Sequence, residues 1–207
     1  MRRVLVLGAG PQARIVPDIA GSLGDVKLAG FVDWADEKRF LVGDAAEFPV
    51  FNGSQFPEEI GNMLGPFEVV VAFGRMDKRR EYIQRVRELS LTAANIIHPS
   101  AIISRSARIG EGCLIAPGVI VGPGVAIGDH TILNSAVTID HDAIIAENVV
   151  MGAGVHLPGS VKVMRDTFIG VGSCGVPGVT IGRNCLIGAG SVVSKDIPDN
   201  VIAAGVP

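Results

Sequence analysis

The sequence predicts two joined folds: a Rossmann-like α/β layer over residues 1–95 and a parallel β-helix over residues 96–207. Three observations point there. Nine of the ten aromatic residues and 25 of the 39 charged residues lie in the first 96 positions, whereas 17 of the 27 glycines follow them, so two kinds of core are implied. The opening run RVLVLGAG is apolar and ends in glycines, as a buried parallel strand entering a helix does. From Ile97 to Val193 every sixth residue is aliphatic, at sixteen of seventeen positions, with Gly175 the exception. So short a fixed period is the mark of a β-helix.

The elements of the first part follow in order. RVLVL is strand one. PQARIVPDIAGSLG has helical apolar spacing, with Pro11 near the helix start where a missing N–H costs little. KLAGFVDW is a second strand and FEVVVAFG a third. MDKRREYIQRVRELS is a helix, since Ile83, Val86 and Leu89 recur on one side and its basic residues are mostly solvated. The N-terminal MRRVLVLGAG is too short and too early in its glycine turn for a signal peptide. No run of 18 apolar residues suggests a membrane span. A net charge of −3 argues against a nucleic-acid partner. Three scattered cysteines fit a reducing, cytoplasmic setting rather than a disulfide framework.

In the second part a small or β-branched residue stands four positions after each aliphatic, among them Cys113, Val125, Ala143 and Cys185. Glycine often follows the aliphatic directly, as at Gly110, Gly122, Gly128, Gly170, Gly182 and Gly188. These glycines are expected to supply the positive φ that each bend needs. The pattern resembles the hexapeptide-repeat family. That resemblance implies a left-handed parallel β-helix with three hexapeptides, 18 residues, per turn. Residues 18 apart then stack at about 4.8 Å. Cys113 and Cys185, four turns apart, would be roughly 19 Å from each other, beyond disulfide reach.

Two motifs carry the candidate chemistry. In TIDHDAII, His141 stands two residues after the inward Ile139 and therefore faces outward, with Asp142 beside it and Gly159 one turn on. A histidine titrates near neutrality and accepts a proton. Asp142 is expected to orient the ring, and the Gly159 amide to meet an oxyanion. In GAGPQA, Gly8 and Gly10 match the spacing that lets a phosphate approach a helix start, and Asp33 follows the second strand where a ribose hydroxyl would lie.

The C-terminal stretch IGRNCLIGAGSVVSKDIPDNVIAAGVP resembles the ending of hexapeptide acetyltransferases that use acetyl-CoA. It places Val171 and Ala189 along the pantetheine arm. Lys195 is either a CoA-phosphate contact or a solvated end residue. VLGAGPQARIVPDIA, GFVD, VVAFGRMDKRR, IIHPSAII, LNSAVTIDHDAIIAENV and GSVKV together resemble the nucleotide-sugar and sialic acid acetyltransferases. Among these are the bacillosamine and perosamine N-acetyltransferases of bacterial surface-glycan (O-antigen, lipopolysaccharide) biosynthesis. The resemblance implies an acetyl-CoA cosubstrate, a nucleotide-linked amino sugar as acceptor, no metal, and a homotrimer with the active site between subunits. His141 corresponds to the family's general base, Asp142 to the acidic residue after it, and Asn134 to an asparagine near the acceptor. Gly8, Gly10, Gln12, Asp33 and Gly74 fall where it binds the substrate's nucleotide part, and Gly159 where it meets the acetyl carbonyl. Two departures stand out. Pro11-Gln12 replace a frequent Gly-His, and Val150 replaces a frequent second histidine; His156, nearby, reads as a surface or structural residue. O-acetylation of a sialic-acid-type sugar and a non-catalytic NAD-binding module are the alternatives. Zinc chemistry of the carbonic anhydrase kind is disfavoured, because His98, His130, His141 and His156 have no 18- or 36-residue spacing.

Overall fold

The computed structural model describes residues 1–34, 48–56 and 65–207. It consists of two compact units, Met1–His98 and Pro99–Pro207, so the break falls a few residues after the expected boundary.

In the first unit β1 (Arg2–Leu7) is followed by a 3₁₀ turn (Pro11–Arg14) and α1 (Ile15–Gly21). Then come β2 (Val26–Asp33), β3 (Val50–Asn52), β4 (Glu68–Val71), α2 (Met76–Glu88) and β5 (Ile96–Ile97). The four longer strands form a parallel sheet in the order β3-β2-β1-β4. The expected first helix is therefore a 3₁₀ turn and a seven-residue α-helix. Pro11 and Pro17 each lack the N–H that a longer α-helical ladder would use, and Gly21 closes the helix. β3 is too short for its alternation to have shown in the sequence.

β1 is buried on both faces, which is why it reads as an unbroken apolar run. Leu5 and Leu7 pack with Val32, Val69 and Val71 against Tyr82, Ile83 and Val86 of α2. Val4 and Val6 point to the opposite face and are equally buried. Each such side chain contributes roughly 1.5–3 kcal/mol by leaving water. One basic residue of α2 departs from expectation: Arg79 is 0% exposed. It lies on the same stripe as Tyr82, Ile83 and Val86, and donates to the carbonyls of Val71 (2.7 Å) and Phe73 (3.5 Å). The guanidinium thus fixes the turn that leaves β4.

The second unit is a parallel β-helix of two-residue strands. Its first face stacks Arg108–Ile109, Ala126–Ile127, Ile144–Ile145, Lys162–Val163 and Thr180–Ile181. The second includes Leu114–Ile115, Ile132–Leu133, Val150–Met151, Phe168–Ile169 and Leu186–Ile187. The third includes Ile120–Val121, Thr138–Ile139, His156–Leu157, Cys174–Gly175 and Val192–Val193. Partners are 18 residues apart throughout, as in Ala126 with Ile144 and Ile132 with Val150. The small residues point inward: Val125, Ala143, Val161 and Thr167 are buried. Inward hydroxyls reach corner carbonyls, as Thr167 Oγ1 donates to Gly182 O at 2.7 Å.

The corners correct one expectation. The glycines just after the aliphatic are not the residues of positive φ. Those stand two positions later, at every sixth residue from Gly112 to Gly190, and include His130, Asp142, Asn148, Asp166 and Asn184. Asparagine and aspartate tolerate that conformation better than other side-chain-bearing residues. The glycine after the aliphatic is required for a different reason, the approach of the next coil: a Cβ on Gly128 would lie 2.5 Å from Glu147 N.

Candidate functional site

The chemistry gathers at two places, one in each unit. In the β-helix, residues 140–142 form the corner after the third face. Hydrogen bonds to the neighbouring coils hold that corner at three points. Asp140 N donates to Leu157 O and Asp142 N to Pro123 O, both at 2.9 Å, while His141 O accepts from Ser160 N at 2.8 Å. The His141 N–H, left over by this pattern, donates to Asp140 Oδ1 at 2.8 Å. The imidazole projects outward with its side chain 56% exposed, and Nδ1 is 2.9 Å from Asp142 Oδ2. Asp142, at φ 57°, is a left-handed corner residue and the partner of the ring together.

The corner is fitted between two glycines. A Cβ on Gly122 would lie 3.0 Å from both Asp140 C and His141 N; one on Gly159 would lie 2.5 Å from His141 Nε2. The peptide thus rests on one glycine and the ring on the other. Among the described residues no group accepts the Gly159 N–H. The hydrogen bond from Asp142 and the charges of Asp140 and Asp142 hold the imidazole above its ordinary titration range. This arrangement is a base whose tautomer is set through Nδ1, beside a main-chain donor.

The remaining predicted residues of this unit divide between two edges. Lys195, exposed, stands three 18-residue coils beyond His141 on the same edge, about 14 Å along the axis. Asn134, Val171 and Ala189 lie at the corner after the second face, one hexapeptide away around the coil. Asn134 Nδ2 donates to Met151 O at 2.7 Å, and Val171 is exposed. One chain does not bring that edge to His141. His156, beside the histidine corner, shares a 2.8 Å hydrogen bond between Nδ1 and Thr138 Oγ1 on the third face.

In the α/β unit a cavity of about 480 Å³ opens at the carboxyl ends of β1 and β2 and beside the turn leaving β4. In an open parallel sheet a ligand crevice forms there, where strand order reverses about β1. Ala9, Gly10, Arg14, Asp33, Arg75 and Lys78 line it, with an aromatic wall of Trp34, Phe73 and Tyr82. The wall is a stack: Phe73 on Tyr82 with centroids 4.5 Å apart, and Tyr82 on Trp34 at 4.2 Å. A glycine closes each end, since a Cβ on Gly8 would meet the Phe73 ring at 3.2 Å and one on Gly53 would strike the Trp34 ring. Burial pushes the Tyr82 phenol up to about 12, so it stays protonated. Gly8 is therefore covered by an aromatic ring, whereas a Cβ on Gly10 would meet nothing within 4 Å. Asp33 Oδ2 accepts from Ala9 N at 3.0 Å and so ties the glycine turn to the end of β2. Gln12 lies in the 3₁₀ turn, its Cβ facing the exposed Gly74. The aromatic stack and Arg79 were missed in the sequence. The stripe that Arg79 shares with Tyr82, Ile83 and Val86 was a usable signal for the latter.

Among the described residues no group of three or more His, Cys, Asp or Glu is placed to hold a metal, and no helix is long and apolar enough to cross a membrane.

Comparison with known proteins follows this division. The family described as the PglD N-terminal domain matches residues 3–86. Those described as bacterial transferase hexapeptide (six repeats) and as hexapeptide repeat of succinyl-transferase match residues 106–141 and 161–195. Perosamine N-acetyltransferase from Caulobacter crescentus, solved as a His-to-Asn variant with CoA and GDP-perosamine, is 33% identical. The similarity covers 99% of this chain and 94% of that one, with a TM-score of 0.88. The acetyltransferase domain of PglB from Neisseria gonorrhoeae is 32% identical, covering 99% and 97%, with a TM-score of 0.87. That domain has also been solved with acetyl coenzyme A. Galactoside O-acetyltransferase from Lactococcus lactis is 39% identical over 79 residues, 38% of each chain. The chain thus spans well under half the length of the curated relatives it matches.

Proposed function

Since the chain belongs to the hexapeptide-repeat nucleotide-sugar acetyltransferase family, we propose that it transfers acetyl directly from acetyl-CoA to the amino group of a nucleotide-diphosphate-linked amino-deoxysugar. The observation that carries this is the outward His141 ring, held through Nδ1 by Asp142 and lying on Gly159. The amine nitrogen attacks the thioester carbonyl, and the N–C bond forms. His141 Nε2 takes the proton released by nitrogen, and the Gly159 N–H donates to the developing oxyanion. The C–S bond then breaks, and the imidazolium returns the proton to the CoA thiolate. Amine and thioester thus become amide and thiol, with no metal required.

CoA lies along the histidine edge, where Lys195 is spaced to meet its phosphate end. Gly10, Gln12 and Gly74 at the α/β cavity, with the Asp33-anchored turn and the Gly8 that Phe73 covers, hold the nucleotide; Arg14, Arg75 and Lys78 supply the positive charge a diphosphate needs. Asn134, Val171 and Ala189 stand on a different edge from His141, so a complete site takes its second wall from another copy of the chain. A cytoplasmic homotrimer serving surface-glycan synthesis fits this reading. Support for the amine acceptor comes from the perosamine N-acetyltransferase solved with GDP-perosamine; the galactoside O-acetyltransferases favour a hydroxyl, over a shorter stretch.

The test is acetyl transfer from acetyl-CoA to GDP-perosamine, and to its counterpart with a hydroxyl in place of the amine. Wild type is expected to acetylate the amine, and His141→Ala to lose about a hundredfold or more in kcat. Turnover of His141→Ala within a few-fold of wild type would remove histidine from the mechanism, and a preference for the hydroxyl would replace the N-acetyl assignment.

A further inference from the structure

We infer that Asp140 selects the acceptor: its carboxylate docks a protonated amine beside His141, so that an ammonium is bound in preference to a hydroxyl at the same place. The inference rests on the acceptor proposed above.

Asp140 is pinned at the base. Its own N–H is taken by Leu157 O, and its Oδ1 accepts the His141 N–H at 2.8 Å. It also lines a groove of about 390 Å³ on the third face, with Ile120, Thr138, His156 and Cys174. A ligand in that groove would thus meet the carboxylate next to the imidazole.

The local charge decides what such a ligand carries. Asp142 faces Nδ1 with one oxygen. The adjoining corners, residues 122–124 and 158–160, hold Gly, Pro and Ser and no charge. Arg105 is two coils back and Lys195 three coils on, about 10 and 14 Å along the axis. On the adjoining face, His156 is engaged by Thr138. Among the described residues neither Asp140 nor Asp142 pairs with a lysine or arginine. With a neutral imidazole, two carboxylates flank the place where the acceptor arrives. An ammonium there gains charge-assisted hydrogen bonds, and a hydroxyl does not. Once docked, the ammonium sheds one proton to solvent before its nitrogen attacks. From the docked state, ammonium and thioester therefore give amide, thiol and one proton.

Asparagine separates the charge of Asp140 from its hydrogen bond, because its Oδ1 can still accept the His141 N–H while alanine offers nothing. Calorimetric titrations of wild type, Asp140→Asn and Asp140→Ala would use GDP-perosamine and its hydroxyl counterpart, at a pH where the amine is protonated. Both variants are expected to bind the amine about fivefold more weakly, with the hydroxyl counterpart bound alike by all three proteins. Asp140→Asn behaving as wild type would reduce Asp140 to a hydrogen-bond acceptor, and equal weakening of both ligands would reduce it to a fold residue; either overturns the inference alone. Wild type binding neither ligand would overturn the acceptor assignment itself, and the inference with it.

Discussion

His141 serves as a base only while Nε2 is unprotonated when the acceptor nitrogen reaches it. The Asp142 hydrogen bond, with the charges of Asp140 and Asp142, raises the imidazole above the ordinary 6.5. A base acts in its neutral form, so turnover is present above the raised value and lost as pH falls through it. Asp142→Asn removes the largest cause of the shift. Its acid limb should therefore move to lower pH, while the plateau falls about tenfold as the ring loses its fixed orientation. A pH–rate profile of the variant checks both; an unmoved acid limb would mean that Asp142 does not set the titration of the base. The outward His141–Asp142 pair was legible because a period of six fixes which way residue 141 points. The service of Asp140 to the His141 amide was not legible, since it depends on which corner amides the neighbouring coils leave over.

Each corner of the coil has its own demand, and period alone showed only part of it. The inward aliphatics and small residues appear as a pattern because burial acts on side-chain size. A left-handed φ acts on residue type instead, and Gly, Asn, Asp, Ser, Ala and His all occur at that position, so no single letter marks it. The glycine beside each strand was visible, but its reason, the nearness of the next coil, lies 18 residues away. Asn148 separates the two contributions. It is buried with φ 53°, and its Nδ2 donates to Asp166 Oδ1 at 2.8 Å. Asn148→Gly loses the hydrogen bond but keeps the backbone at ease, whereas Asn148→Ala loses the bond and strains the corner. In denaturant unfolding Asn148→Ala should be less stable than Asn148→Gly by roughly 1 kcal/mol. Equal stability would mean that the corner relaxes out of the left-handed region. In the α/β unit the same principle hid the aromatic stack: Trp34, Phe73 and Tyr82 come from three separate segments, and only the folded sheet ends bring them between Gly8 and Gly53.

At the scale of the whole molecule, one coil presents the base and the small-residue wall on different edges, so a site built from both needs two copies. Two damaged chains should then repair each other. His141→Ala spoils only the histidine edge; Ala189→Trp would block only the other edge with a bulky ring. Each variant alone has every site spoiled. If the copies close into a ring, every interface pairs the histidine edge of one chain with the small-residue edge of the next. Co-expressed in equal amounts and assembling at random, the pair should leave about a quarter of interfaces with both edges intact, whatever the number of copies in the ring. The measurement is acetyl transfer by the co-purified mixture, the two variants carrying different affinity tags. Recovery near a quarter of wild-type activity is expected. If each mixed assembly stays as inactive as its parents while mass measurement shows that the tags have mixed, His141 and Ala189 do not serve one shared site.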